Sequence, residues 1–352
     1  MSNPNETPVS HINQDEIEKQ RDVDAAYEGW LDAMLDKDMD AAFEGTAPVS
    51  AHKIMNSLIM LLGPDNVLEQ EPMRKHTTFK VGGPVDVMVT PRTIEQIQGV
   101  LELCRLNEIP VRFLGLGSNV LVSDEGISCL VIKLADNFAD IRVEGEQVIC
   151  QAGASNEAIA AAALDAGLAG YEFASGIPGS IGGAAIMNAG AYDGEFKDVA
   201  ISVDCLTPEG DLVTVSAADA DWGYRHSMMM DKGWLVVGAT IGLHAGDPAA
   251  IKARMDDLRA RREEKQPLEM ASAGSTFKRP EGYYAGKLIQ DAGMQGHARG
   301  GAEVSRKHAG FVVNTGMATA ADVRNVIADV QAAVKDQFGV DLQPEVRMWG
   351  FK

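Results

Sequence analysis

Apolar side chains along this sequence recur with two different periods, and the switches between them mark its elements. TIEQIQGVLELCRLN (93–107) sets Ile94, Ile97, Leu101 and Cys104 at helical spacing. Before it, FKVGGPVDVMV (79–89) alternates around Gly-Gly-Pro and predicts a pair of strands. PVRFLGLGSN (110–119) and CLVIKL (129–134) are short apolar runs bounded by turns, as buried strands are. Together these segments predict a β–α–β unit, with a short helix over 51–62 leading into it. IRVEGEQVICQAG (141–153) reads as a hairpin, and SNEAIAAAALDAG (155–167) as a helix capped by Ser155 and stopped by Gly167. ISVDCLTPEGDLVTV (201–215) predicts a second hairpin around Pro-Glu-Gly, and WLVVGATIGL (234–243) a further strand. PAAIKARMDDLRARREEKQ (248–266) is a charged helix that Pro248 opens and Pro267 closes. AGFVVNTG, a helix over 319–338 and PEVRMWG complete the chain as strand, helix and strand.

The composition keeps this picture within the soluble globular class: 45% of residues are hydrophobic and 23% charged. A formal net charge of −20 argues against nucleic acid or an anionic membrane as main partner. Residues 1–50 are polar and acidic and predict an exposed tail carrying one amphipathic helix, AAYEGWLDAMLDKDMDAAF. No run approaches the ~18–20 apolar residues of a membrane span. The N-terminus lacks the basic and apolar regions of a secretory signal. Cys104, Cys129, Cys150 and Cys205 are widely spaced in apolar runs, as buried free thiols of a reducing compartment are. Nothing shows metal-ligand spacing, so no metal is expected. Within 274–308 the balance inverts, with Lys278, Arg279, Lys287, Arg299, Arg306 and Lys307 against Glu281, Asp291 and Glu303. Such an inversion is where an anionic ligand is expected, a solvated basic face being the alternative.

Two glycine-rich turns are candidates for holding phosphate: LGLGSN (114–119) and GIPGSIGG (176–183). Glycines let backbone N–H groups converge on an anion. Neither turn contains Gly-Lys-Ser/Thr, which disfavours a P-loop, and neither has the context of a Rossmann fingerprint. Flanking a β-rich middle, they suggest an extended ligand between two lobes, a shape that suits an isoalloxazine dinucleotide.

Eight blocks then occur in a telling order: TTFKVGGPVDV, LGLGSNVLVSD, GIPGSIGGAAIMNAGAY, YRHS, GSTFKRP, AGKLIQDAG, GGAEVSRKHAGFVVN and PEVRMWG. In this order the chain, from about Thr77 to Gly350, resembles the UDP-N-acetylenolpyruvoylglucosamine reductase (MurB) family. The short span from Glu281 to Leu288 points to the subtype without a long insertion there. The resemblance implies an α+β fold. Two lobes, about 51–135 and 136–265, form an FAD-binding fold of the vanillyl-alcohol-oxidase-like (PCMH-type) flavoproteins. A substrate-binding domain over 266–352 closes on them. It also implies a cytoplasmic, monomeric enzyme of peptidoglycan precursor synthesis with non-covalent FAD, NADPH as reductant and a UDP-sugar enolpyruvyl ether as substrate.

The family's roles carry over onto matching positions. Arg225 in YRHS matches the cation at the substrate carboxylate, Glu345 in PEVR the acid at the enolate, and Ser275 in GSTFKRP the proton donor to carbon. Each has a plainer alternative: a surface ion pair for Arg225, pairing with Arg347 for Glu345, a turn position for Ser275. Gly115, Gly117, Ser118 and Asn119 in the first turn and Gly176, Pro178, Gly179, Ser180, Gly182, Gly183 and Asn188 in the second stretch would hold FAD. Tyr224, Lys278, Arg279 and Lys287 would meet the UDP-sugar. Bulky replacement at Gly182 or Gly183 is expected to cost FAD binding before folding. A different flavoenzyme on the same fold and a non-catalytic nucleotide-sugar binder are the competing functions.

Overall fold

The computed structural model describes residues 50–351; the acidic segment and the amphipathic helix expected in it lie outside those residues. A 3₁₀ turn at Ala51–Ile54 leads into α1 (Met55–Leu62), where the pattern placed a short helix. The first lobe is built on β1 (Val67–Pro72), β2 (Pro84–Val89), β3 (Val111–Leu114), β4 (Val120–Val122) and β5 (Ile127–Lys133), joined from β2 to β3 by α2 (Ile94–Leu106). Its sheet runs β1-β2-β5-β3, with β5 parallel to both β2 and β3. α2 crosses between two of these parallel strands, as parallel strands require. Thr93 caps α2 by accepting from the Gln96 N–H, and Ile97, Val100, Leu101 and Cys104 form its buried face.

One expected strand pair is different in the structure. Phe79–Val81 does not pair with β2 across Gly-Gly-Pro; it is an irregular turn in which Lys80 takes φ +57. The antiparallel partner of β2 is instead β1, from Val67↔Val89 to Pro72↔Pro84. VLEQEP is a polar edge strand, so it carries none of the apolar alternation that marks its neighbours.

The second lobe holds β6 (Ile141–Glu144), β7 (Gln147–Gln151), β8 (Ala200–Leu206), β9 (Leu212–Ser216) and β10 (Leu235–Gly242), wholly antiparallel in the order β9-β8-β10-β7-β6. Both expected hairpins and the expected strand are there. α3 (Asn156–Asp165) starts where the Ser155 hydroxyl accepts from the Ala158 N–H, and Gly167 follows it at φ +66. GIPGSIGGAAIMN gives a turn and then a short helix, α4 (Ile181–Met187), which Asn188 ends in the left-handed conformation. α5 (Pro248–Lys265) carries Pro248 in its first turn, as expected.

The C-terminal region has a four-stranded antiparallel sheet ordered Ala271–Ser272, Val312–Asn314, Ala302–Val304, Ala298–Arg299, with α6 (Ala285–Asp291) and α7 (Ala320–Phe338). Val323, Val326, Ile327, Val330 and Val334 form the buried stripe of α7, and Phe79, Val81 and Leu121 of the first lobe pack into the same core. The last strand, Arg347–Trp349, pairs in parallel with β4, and Trp349 enters the core of Met73, Val85 and Val122. Asp124, just past β4, accepts from the Ala320 and Ala321 N–H groups at 2.8 and 2.9 Å, at the positive end of α7. The first lobe and the C-terminal region thus share one core and form a common frame.

The four cysteines are buried and free, and burial raises their thiols, those of Cys129, Cys150 and Cys205 to about 12. Among the described residues no helix is long and apolar enough to cross a membrane.

Candidate active site

Arg225 sits in a tight turn. Gly223 and His226 face each other as an antiparallel bridge, which leaves Tyr224 and Arg225 to reverse the chain, and Arg225 takes φ +54. Non-glycine residues enter that region only when the surroundings hold them there. The Arg225 guanidinium donates from Nε to Glu345 Oε1 at 2.6 Å, and from its two terminal nitrogens to the carbonyls of Asn188 and Gly190 at 3.4 and 3.5 Å. Glu345 therefore pairs with a residue 120 positions away rather than with Arg347.

The backbone fixes Glu345 from two sides. Its N–H donates to the Thr276 carbonyl at 2.8 Å, and its carbonyl accepts from Asn119 Nδ2 at 3.1 Å. Phe277 and Pro344 form a bridge beside this contact, so GSTF and PEVR run next to each other. Thr276 is fully buried, its N–H donating to Gly310 O and its hydroxyl accepting from the Val312 N–H. Ser275, one residue earlier, remains exposed. Burial pushes the Glu345 carboxyl above the usual carboxylate range, and Arg225 and Lys278 oppose this without cancelling it. The result is an acid with a reason to hold its proton, next to a permanent cation.

Two further expected contacts join the cluster. The Tyr224 hydroxyl accepts from the Arg279 N–H at 3.0 Å, and the Arg225 guanidinium lies 5.1 Å from the Tyr224 ring centre. Arg279 stacks on Tyr284 at 4.0 Å. Lys287 does not join them; it pairs with Asp291 one turn along α6, exposed to solvent.

The two glycine-rich turns meet. Ser118 donates from its hydroxyl to the Pro178 carbonyl at 3.2 Å, and Gly115 lies directly against the Ser180 hydroxyl. The backbone N–H groups of Gly117, Ser118, Asn119, Gly179 and Ser180 donate to no main-chain acceptor among the described residues. Open backbone donors where two turns meet are what an anion cradle needs. Gly117 takes φ +66 with the His76 carbonyl where a Cβ would be. Gly176 presents its carbonyl to Arg262 Nη1, which braces the turn from behind.

Gly182 and Gly183 divide the roles expected of them jointly. A Cβ on Gly182 would stand 2.8 Å from Ala152 Cβ, whereas on Gly183 it would meet only Ser180 Oγ, at 3.9 Å. Gly182 thus belongs to the packing of α4 and only Gly183 to the open face. Gly183→Leu is expected to melt near wild type and lose FAD affinity, while Gly182→Leu loses at least ~1–3 kcal/mol of stability from overpacking; thermal melts with flavin quantified on the same samples check both. Asn188 does not offer a free amide to a cofactor. It is fully buried, Nδ2 donates to Gly223 O and Glu195 Oε2, and Oδ1 accepts from the Lys197 N–H.

Two glycine-rich turns with open backbone donors, meeting between two lobes beside an arginine–carboxyl pair, fit an FAD-binding oxidoreductase. Residues 85–216 match the family described as FAD binding domain, and residues 266–349 the family described as UDP-N-acetylenolpyruvoylglucosamine reductase, C-terminal domain. The UDP-N-acetylenolpyruvoylglucosamine reductase of Clostridium beijerinckii is 52% identical over 278 residues, covering 79% of this chain and 91% of that one. That of Caldanaerobacter subterraneus is 46% identical over 302 residues, 86% of this chain and 100% of its own. The crystal structure of the Thermus caldophilus enzyme superimposes with a TM-score of 0.70 at 34% identity, over 79% of this chain and 97% of that one. The chain belongs to the UDP-N-acetylenolpyruvoylglucosamine reductase family.

Proposed function

We propose that this protein reduces UDP-N-acetylglucosamine enolpyruvate to UDP-N-acetylmuramate at the expense of NADPH, in peptidoglycan precursor synthesis. It acts in the cytoplasm as a monomer; four unpaired buried thiols suit that reducing compartment. The observation that carries the proposal is the Arg225–Glu345 pair, held between the glycine-rich turns and the segment bearing Ser275. FAD, which the Gly117–Asn119 and Gly179–Ser180 turns would hold, would supply the hydride carrier between NADPH and the enol ether. The substrate's terminal carbon accepts hydride, so negative charge develops over its α-carbon and carboxylate. Arg225 binds that carboxylate and neutralises the charge, a task suited to a guanidinium that never deprotonates. Glu345, its pKa raised by burial, donates a hydrogen bond to the enolate. The Ser275 hydroxyl gives its proton to the α-carbon; so weak an acid suffices because the enolate beside it is a strong base. Tyr224, Lys278 and Arg279 receive the nucleotide-sugar, NADPH and substrate using the same opening in turn.

Steady-state oxidation of NADPH by the purified flavoprotein tests this. NADPH consumption is expected only with the enolpyruvyl UDP-sugar, UDP-N-acetylmuramate appearing in equal amount. A colourless protein, or consumption independent of that substrate, contradicts the proposal.

A further inference from the structure

α4 connects the two halves of the site. At its N-terminal end the Ile181 and Gly182 N–H groups donate to Ala154 and Ala152, and Ser180 packs on Gly115. Its C-terminal end would leave carbonyls without partners, and the 222–227 segment takes them. Trp222 Nε1 donates to Ala185 O at 2.8 Å, the fully buried Ser227 hydroxyl to Ile186 O at 2.8 Å, and Arg225 itself to Asn188 O. Asn188 answers from the helix side, donating to Gly223 O at 3.0 Å. The Tyr224–Arg225 reversal is therefore tied down on both flanks, Gly223 on one and Ser227 on the other. That is what a non-glycine residue at φ +54 requires.

From this geometry we infer that Asn188 and Ser227 are positioning residues for Arg225. They latch the strained turn onto the C-terminal end of α4 and so aim the guanidinium at the substrate carboxylate, a role resting on the proposed reaction. Without the latch the turn relaxes toward ordinary backbone angles and the guanidinium leaves Glu345. Recognition of a carboxylate then fails while the nucleotide-sugar is still bound, because Lys278 and Arg279, next to the Phe277–Pro344 bridge, meet the ligand from outside that turn.

The test compares two ligands on the oxidised, FAD-loaded full chain by calorimetry: UDP-N-acetylmuramate, which carries the carboxylate, and UDP-N-acetylglucosamine, which lacks it. Wild type is expected to bind the first more tightly. Asn188→Gly keeps the left-handed backbone and deletes the amide, and Ser227→Ala deletes the hydroxyl. Each is expected to weaken the carboxylate ligand about 10–100-fold, the range of a lost charge-assisted hydrogen bond, and to change the other by less than about twofold. Ser227→Thr, which restores the hydroxyl, recovers most of the loss. Equal weakening of both ligands, or of neither, overturns the inference. So does loss of flavin from Asn188→Gly, which makes Asn188 a cofactor contact. If Asn188→Gly does not fold, the Ser227→Ala and Ser227→Thr pair decides alone. A wild-type protein that does not discriminate between the ligands removes the proposed reaction itself, a result distinct from variants that merely match wild type.

Discussion

Ser275→Ala is expected to leave reduction of the bound flavin by NADPH within about twofold of wild type and to slow its reoxidation by the enolpyruvyl substrate by ~10²–10⁴. The asymmetry follows from what the side chain touches. Ser275 is exposed, and the backbone around it is held by Thr276, through Gly310, Val312 and Glu345. Deleting one exposed hydroxyl leaves those bonds in place, so stability stays within ~0.5 kcal/mol of wild type. In the proposed reaction only protonation of the α-carbon needs that hydroxyl, and it occurs only in the substrate half-reaction. Anaerobic stopped-flow measurements of the two halves separate them. Equal loss in both would make Ser275 a structural turn residue, the plainer alternative that its sequence context allows.

Gly117→Ala is expected to strip the protein of FAD. A side chain at φ +66 is strained by itself, on the order of 1–3 kcal/mol, and the new methyl would fall on the His76 carbonyl. That carbonyl has little room to retreat. The largely buried His76 ring is held at Nε2 by Glu71 and at Nδ1 by Lys133, each at 2.9 Å, and the Gly117 carbonyl accepts from the Thr78 N–H at 3.0 Å. The turn must therefore move, and its free N–H groups move with it. The ratio of flavin to protein absorbance after gel filtration reads the loss. A variant that retains stoichiometric FAD would mean that the first turn is packing and not cradle.

Much of the architecture is legible in the sequence because its elements are strongly periodic or firmly capped. α2 stands where its apolar spacing puts it, α3 and α5 start at Ser155 and Pro248 as expected, and α7 fills the expected 319–338. The misses share a cause: the signal lay in partners, not in the segment. β1 is polar because it is an edge strand, and Phe79–Val81 looks like a strand yet belongs to a turn feeding the shared core. α4 hides behind two glycines, which disfavour a helix by about 1 kcal/mol each; contacts with Ala152 and with β10 override that preference.

The site divides in the same way. Arg225, Glu345 and Ser275 are separated by up to 120 residues, and only family order suggested joining them before the 2.6 Å Arg225–Glu345 pair and the Glu345–Thr276 backbone bond did so in space. Asn188 offered a spare amide in sequence; folded, every polar atom of that amide is engaged within the protein. Lys287 looked like one more phosphate contact, but Asp291 four residues on accounts for its charge locally. No pattern in the sequence announces Trp222 or Ser227, since their role depends on the carbonyls of a helix 37 and 41 residues earlier.

The most direct measurement is an anaerobic titration of the NADPH-reduced protein with the enolpyruvyl UDP-sugar, followed in the flavin spectrum. The structure and its family predict that a stoichiometric amount of the sugar restores the oxidised spectrum and is recovered as UDP-N-acetylmuramate. A spectrum that stays bleached until air is admitted would contradict the proposed reaction.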